Sequence, residues 1–216
     1  MATTDNLRIT EIFYSLQGES SRSGLATVFV RLSACPLRCS YCDSAYAFSG
    51  GQVLSIEAIL AEVERFSIPY VCVTGGEPLA QKNCLALLCQ LADKDYQVSL
   101  ETSGALPIEF VDPRIKRIVD IKTPASGEME KVCWRNLAHI RPQDELKFVL
   151  SDRADYDWAC ATIEQHQLAS RCHILFSPVW GVLDPTALAT WILEDHLTVR
   201  LQLQLHKLLW GDRPGV

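Results

Sequence analysis

Cys35, Cys39 and Cys42 stand in one short stretch, Cys35-Pro36-Leu37-Arg38-Cys39-Ser40-Tyr41-Cys42, and nothing else in the chain is spaced so well for chemistry. Thiolates at C-x3-C-x2-C can each bind one iron of a cube-shaped cluster, because such clusters are held by cysteine thiolates. Three thiolates leave the fourth iron open, and an open position marks a reactive rather than a structural metal centre. Zinc is the competing occupant and would need a fourth ligand, such as Cys133 or His139, from a distant segment. Core packing is the plainest alternative, since free cysteine behaves as a small hydrophobe. Cys72, Cys84, Cys89, Cys133, Cys160 and Cys172 fall in apolar stretches and read as packing residues. An odd total of 9 cysteines in a chain of 216 residues argues against a disulfide framework.

Five further polar groups follow apolar runs. Thr74-Gly75-Gly76-Glu77-Pro78, Glu101-Thr102-Ser103-Gly104, Lys122-Thr123-Pro124, Ser177-Pro178 and His206-Lys207 each stand at the end of a strand-like segment. Two glycines let a backbone approach a ligand closely, and a carboxylate beside them can accept hydrogen bonds from an ammonium group. An amino-acid ligand would suit that unit; a glycine turn with a solvated Glu77 is the plainer reading.

The elements that must position these groups alternate. Strands are expected at Val28–Leu32, Tyr70–Thr74, Gln97–Glu101, Arg117–Ile121, Leu146–Leu150, Cys172–Phe176 and Val199–Leu205. Helices are expected from a Ser55 cap to Phe66, with Ile56, Ile59, Leu60 and Val63 on one face, then over Cys84–Ala92 and Tyr156–Gln165. A last helix starts at Asp184-Pro185 and runs to Asp195. In the last strand Arg200, Gln202, Gln204 and His206 alternate with apolar residues, so period two puts them on one face. Such alternation implies an α/β fold with a mostly parallel sheet. Right-handed crossovers could close it into an open, partial β/α barrel, with reactive groups at the C-terminal strand ends.

Composition bounds the rest. With 48% hydrophobic and 21% charged residues, the chain reads as one globular domain over residues 1–216. A net charge of −6 argues against nucleic acid or an anionic membrane as partner. Met1-Ala2-Thr3-Thr4-Asp5-Asn6 has no leader features, and nine thiols suit a reducing cytoplasm.

The cysteine triplet, with Tyr41 before its last cysteine, and the later Gly-Gly-Glu-Pro resemble the radical S-adenosylmethionine (SAM) enzymes. Phe13-Tyr14-Ser15-Leu16-Gln17-Gly18-Glu19-Ser20 and Gln204-Leu205-His206-Lys207 narrow the resemblance to the 7-carboxy-7-deazaguanine synthases of queuosine biosynthesis. It spans about Ile9 to Lys207.

The resemblance implies a partial barrel of the radical SAM type, with a 4Fe-4S cluster on Cys35, Cys39 and Cys42. The open iron would chelate SAM, and one electron would release a 5′-deoxyadenosyl radical. That radical would take hydrogen from C6 of 6-carboxy-5,6,7,8-tetrahydropterin. Ring contraction and loss of ammonia would follow, and SAM would be re-formed. Thr74, Gly75, Gly76 and Glu77 would hold the methionine part of SAM, with Tyr41 near the adenine, Glu101 at the ribose, and Lys122 and Ser177 nearby. Gln17, Glu19, Arg31, Thr74 and His206 would hold the pterin. Ser44 of Cys42-Asp43-Ser44 would face Mg²⁺, which prefers oxygen ligands. A homodimer and an external electron donor, flavodoxin or ferredoxin, are also implied. The extension Leu208–Val216 has no assigned role, and the segments 43–51 and 123–143 have no derivable conformation. A radical SAM activating enzyme acting on a partner protein, or a non-enzymatic zinc module, are the other readings.

Overall fold

A computed structural model describes residues 5–211, 213, 215 and 216. Met1–Thr4, read above for leader features, lie outside the described residues, as do Asp212 and Pro214 of the extension.

One nine-stranded sheet organises the chain, in the order β3-β1-β2-β4-β5-β6-β7-β8-β9. β1 (Asn6–Leu16) is antiparallel to β2 (Ala26–Leu32) and to β3 (Gln52–Ser55). From β2 onward every pairing is parallel: β4 (Tyr70–Gly75), β5 (Gln97–Thr102), β6 (Lys116–Ile121), β7 (Glu145–Leu150), β8 (His173–Pro178) and β9 (Arg200–Leu201). Helices α1 (Ile56–Glu64), α2 (Cys84–Asp93), α3 (Arg153–Gln165) and α4 (Pro185–Glu194) supply crossovers. Ser55, Asp152 and Asp184 cap the first, third and fourth through side-chain oxygens. Each such cap contributes about 1 kcal/mol by giving an otherwise orphaned N–H an acceptor.

Alternation along each strand divides the sheet into two faces. Leu146, Phe148 and Leu150 of β7 join Ile174 and Phe176 of β8 in the core beneath the helices, where Tyr156, Leu188 and Ile192 meet them. The opposite face carries Arg31 beside Thr74, and Asp120 beside Lys147, as cross-strand neighbours. This second face is concave. The β1–β2 connection reaches across it to β7, with the Ser21 N–H donating to Glu145 at 3.1 Å and Lys147 Nζ 2.6 Å from Glu19 Oε2. The gap between the sheet edges is bridged by backbone: Leu205 N–H donates to Gly18 O at 2.9 Å. The result is a partial barrel with a polar lumen.

One expectation needs correction. The segment Val199–Leu205 is not one strand: pairing stops after Leu201, and Leu205–Trp210 forms the short helix α5. The Gln202 N–H still reaches Phe176 O at 2.8 Å, but Leu205 has left the sheet for Gly18, so period two ends there. As the sequence pattern expects, no α-helix follows β5 or β6; the connection after β6 holds 3₁₀ turns over Pro124–Ser126, Met129–Lys131 and Trp134–His139. Strands β1 and β3 were not anticipated.

Candidate active site

The lumen holds a cavity of about 710 Å³, within the size range of small-molecule sites. Its upper rim is the cysteine loop after β2. Cys35, Cys39 and Cys42 all line it and none is in a disulfide. Burial raises all three thiols above their usual pKa, so metal uptake would release protons. Neither Cys133 nor His139 lines this cavity; His139 faces Glu109 at 3.6 Å. Among the described residues no three His, Cys, Asp or Glu side chains converge on a single-ion site. A cluster binds its thiolates at separate iron corners and does not ask for that convergence.

The Gly-Gly-Glu loop after β4 is tied to the cysteine loop. Gly76 N–H donates to Leu32 O at 3.1 Å and Glu77 N–H to Ala34 O at 2.9 Å. A Cβ on Gly76 would lie 2.4 Å from Ala34 O and 2.7 Å from Cys35 Cβ, so the cysteine backbone itself requires glycine there. Glu77 departs from its expected place. It is fully buried, outside the cavity lining. Its carboxylate accepts from Leu79 N–H (2.9 Å), Thr102 Oγ1 (2.9 Å), Ser103 N–H (2.7 Å) and the Ser103 hydroxyl. Those donors make it a brace between the ends of β4 and β5.

The other residues expected at the SAM, substrate and metal sites line this cavity: Gln17, Glu19, Arg31, Tyr41, Ser44, Thr74, Gly75, Gly76, Glu101, Lys122, Ser177 and His206 with the three cysteines. Thr74 Oγ1 donates to Glu101 Oε2 at 2.9 Å, and Gln17 Nε2 to Oε1 at 3.2 Å. Burial pushes the Tyr41 phenol up to about 12. Burial works against the Lys122 charge, but Asp120, Cys39 and Tyr41 outweigh it and hold its pKa above the usual value. Arg31 donates through Nε to Glu11 Oε1 at 2.7 Å, and its terminal NH₂ groups bond no described residue. Phe13 and Phe29, stacked at 4.9 Å, form an apolar wall on the same cavity. Ser44 Oγ donates to Asp43 Oδ1 at 2.9 Å. Of the described residues of the extension, Gly211, Arg213, Gly215 and Val216 also line the cavity.

Two residues that the sequence reading passed over stand here as well. Asp120 meets Lys122 at 2.9 Å, and Lys147 meets Glu19 at 2.6 Å and Asp120 at 3.7 Å. Asp120 Oδ1 is buried and has no partner among the described residues. A buried acceptor without a donor is costly, and a ligand carrying ammonium or hydroxyl groups would satisfy it. SAM has both, and the thiol loop, the open carboxylate oxygen and the cavity size fit it together with a cluster. The signal was present in the sequence: a charge inside the apolar runs of two central parallel strands, which are normally apolar on both faces.

Comparison with known proteins agrees with this geometry. Residues 30–121 match the Radical SAM superfamily. The 7-carboxy-7-deazaguanine synthase of Chlorobaculum tepidum is 48% identical over 100% of both chains. That of Koribacter versatilis is 45% identical, over 94% of this chain and 97% of the relative. Among solved structures, QueE from Escherichia coli shares the fold with a TM-score of 0.77 at 22% identity, covering 93% of this chain and 95% of that one. The chain therefore belongs to the 7-carboxy-7-deazaguanine synthase family of radical SAM enzymes.

Proposed function

We propose that this chain converts 6-carboxy-5,6,7,8-tetrahydropterin into 7-carboxy-7-deazaguanine and ammonia, in 7-deazapurine (queuosine) biosynthesis. One observation carries the reading: the cysteine loop and the two chain ends, through Gln17, Arg31 and His206, line a single cavity. A 4Fe-4S cluster on Cys35, Cys39 and Cys42, with SAM, supplies a carbon-centred radical when both are bound.

The chain's own groups do the rest. Gly75, Gly76 and Thr74 flank the methionine part of SAM, and Glu101 takes the ribose. Tyr41 meets the adenine mainly through its backbone, with Lys122 and Ser177 beside it. Glu77 holds the loop rather than the ligand, since its oxygens are occupied by protein donors. Arg31 offers a planar pair of N–H donors to the substrate carboxylate. Gln17, Glu19, Thr74 and His206 hold the pterin ring against the Phe13–Phe29 wall. Ser44 and water place Mg²⁺ by the substrate. The enclosing lumen excludes water from a reactive species, which is the protein's share in cofactor chemistry.

The same reading includes one domain over the whole chain, a homodimer, a cytoplasmic setting and electrons from flavodoxin or ferredoxin. Among the described residues no helix is long and apolar enough to cross a membrane. End-to-end likeness to synthases leaves the activating-enzyme reading without support, and the placement of Cys133 and His139 does the same for a zinc module. The test is anaerobic incubation of the iron- and sulfide-reconstituted chain with SAM, Mg²⁺, reductant and the pterin. Mass spectrometry should find a product lighter than the substrate by one ammonia, and a loaded chain that cleaves SAM without that product would overturn the substrate assignment.

A further inference from the structure

Lys147 is out of place for its element. It sits inside a central parallel strand between buried Leu146 and Phe148, with side-chain exposure of 15%. A charge there is costly unless paired. Its partner is Glu19, 2.6 Å away, from the β1–β2 connection. Asp120 is farther, at 3.7 Å, and already has Lys122 at 2.9 Å. Loss of Lys147 would thus leave Asp120 paired, whereas no second cation pairs with Glu19 among the described residues.

We propose that Lys147 is a positioning residue of the substrate site, holding the Glu19 carboxylate ionised and aimed at the N–H edge of the pterin ring. The inference rests on the synthase reading above. Lys147 occupies Glu19 Oε2, and Gln204 Nε2 occupies Oε1 at 2.9 Å. Each oxygen keeps a second lone pair, so the carboxylate is fixed from behind and open in front. A pterin presents its 2-amino and adjacent ring N–H groups side by side, which matches two parallel N–H···O bonds. A protonated Glu19 would offer a donor where the ring needs an acceptor.

Glu19 is ringed by other charges. Asp120 of β6, Lys122 just after it, Glu101 of β5, Asp43 of the cysteine loop and Lys207 of α5, with the titratable His206, line the same cavity. Gln204 also bonds Asp43 Oδ2 at 3.1 Å, and Lys207 lies 3.6 Å from Asp43. Burial alone raises Glu19, and Asp43 adds to that; Lys147, with Gln204, outweighs both and holds its pKa below the usual value. Without the ammonium, Glu19 loses the cation paired with it, the same burial favours its neutral form, and Glu19 takes a proton as pH falls.

The test uses cluster-loaded protein under anaerobic calorimetry, titrated with 6-carboxytetrahydropterin and separately with SAM between about pH 6 and pH 8.5. Lys147→Met should weaken pterin binding about tenfold or more at the acid end and progressively less as pH rises. SAM affinity and iron content should be unchanged. Lys147→Arg should restore most of the affinity, and adding Glu19→Gln to Lys147→Met should abolish the pH dependence. Should Lys147→Met fail to fold, Lys147→Gln carries the same expectation. Wild-type pterin affinity in the uncharged variant, or a loss independent of pH, would overturn the proposal alone. A wild-type chain that binds SAM but not the pterin would overturn the functional reading and this proposal with it.

Discussion

Gly18 and His206, 188 residues apart by number, touch so closely that a Cβ on Gly18 would lie 2.1 Å from His206 Nδ1. The adjoining backbone is bonded as well, with Leu205 N–H donating to Gly18 O at 2.9 Å. Glycine at this position lets the C-terminal segment close the barrel gap and brings His206 to the cavity. Gly18→Ala must therefore push His206 aside. Overpacking costs about 1–3 kcal/mol, so the KM for the pterin should rise roughly thirtyfold at the middle of that range. SAM affinity should not move, and steady-state kinetics with both substrates varied would check the split.

Arg31 is aimed by Glu11, which holds Nε at 2.7 Å and so sets the plane of the terminal nitrogens. Arg31→Lys keeps charge but loses the fork. Losing one charge-assisted bond costs about 1.5–3 kcal/mol, so pterin affinity should fall roughly ten- to hundredfold. Iron content and SAM binding should remain. A loss of SAM binding equal to that of the pterin would place Arg31 elsewhere in the site.

Glu77 braces two strand ends through four kinds of donor. Glu77→Ala strands buried donors at about 1–3 kcal/mol each, and each kcal/mol shifts Tm by about 2–4 °C at this size. The cluster-free protein should melt several degrees lower by circular dichroism. Normal melting with lost SAM affinity would instead make Glu77 a direct ligand group.

Ser44 carries the magnesium assignment through one hydroxyl beside Asp43. Ser44→Ala should remove most of the stimulation by added Mg²⁺ while leaving the cluster spectrum intact. Full stimulation in that variant would move the metal to other oxygens.

Much of this arrangement was legible before the fold was known, and the misses have physical causes. The cysteine spacing and the strand-end groups report on the rim, because side chains at C-terminal strand ends are set by local chain direction. The lumen is harder to read. Lys147 and Asp120 are visible as charges within apolar strands, but their partnership depends on register between β6 and β7. Glu77 looked like a ligand because its neighbours suit one; its true partners, Thr102 and Ser103, come from the next strand. The period-two pattern after Val199 misled for another reason: Gln204 turns out of the sheet to bond Glu19 and Asp43, and tertiary contacts override the strand.

The central claim is that cluster, SAM and pterin share the one lumen. Single-turnover reaction of the loaded chain with pterin deuterated at C6 tests it most directly. The account predicts deuterium at the 5′ carbon of recovered SAM or 5′-deoxyadenosine, together with 7-carboxy-7-deazaguanine, and neither from Cys39→Ala. Product formed with no deuterium at that carbon, or formed equally well by Cys39→Ala, would contradict it.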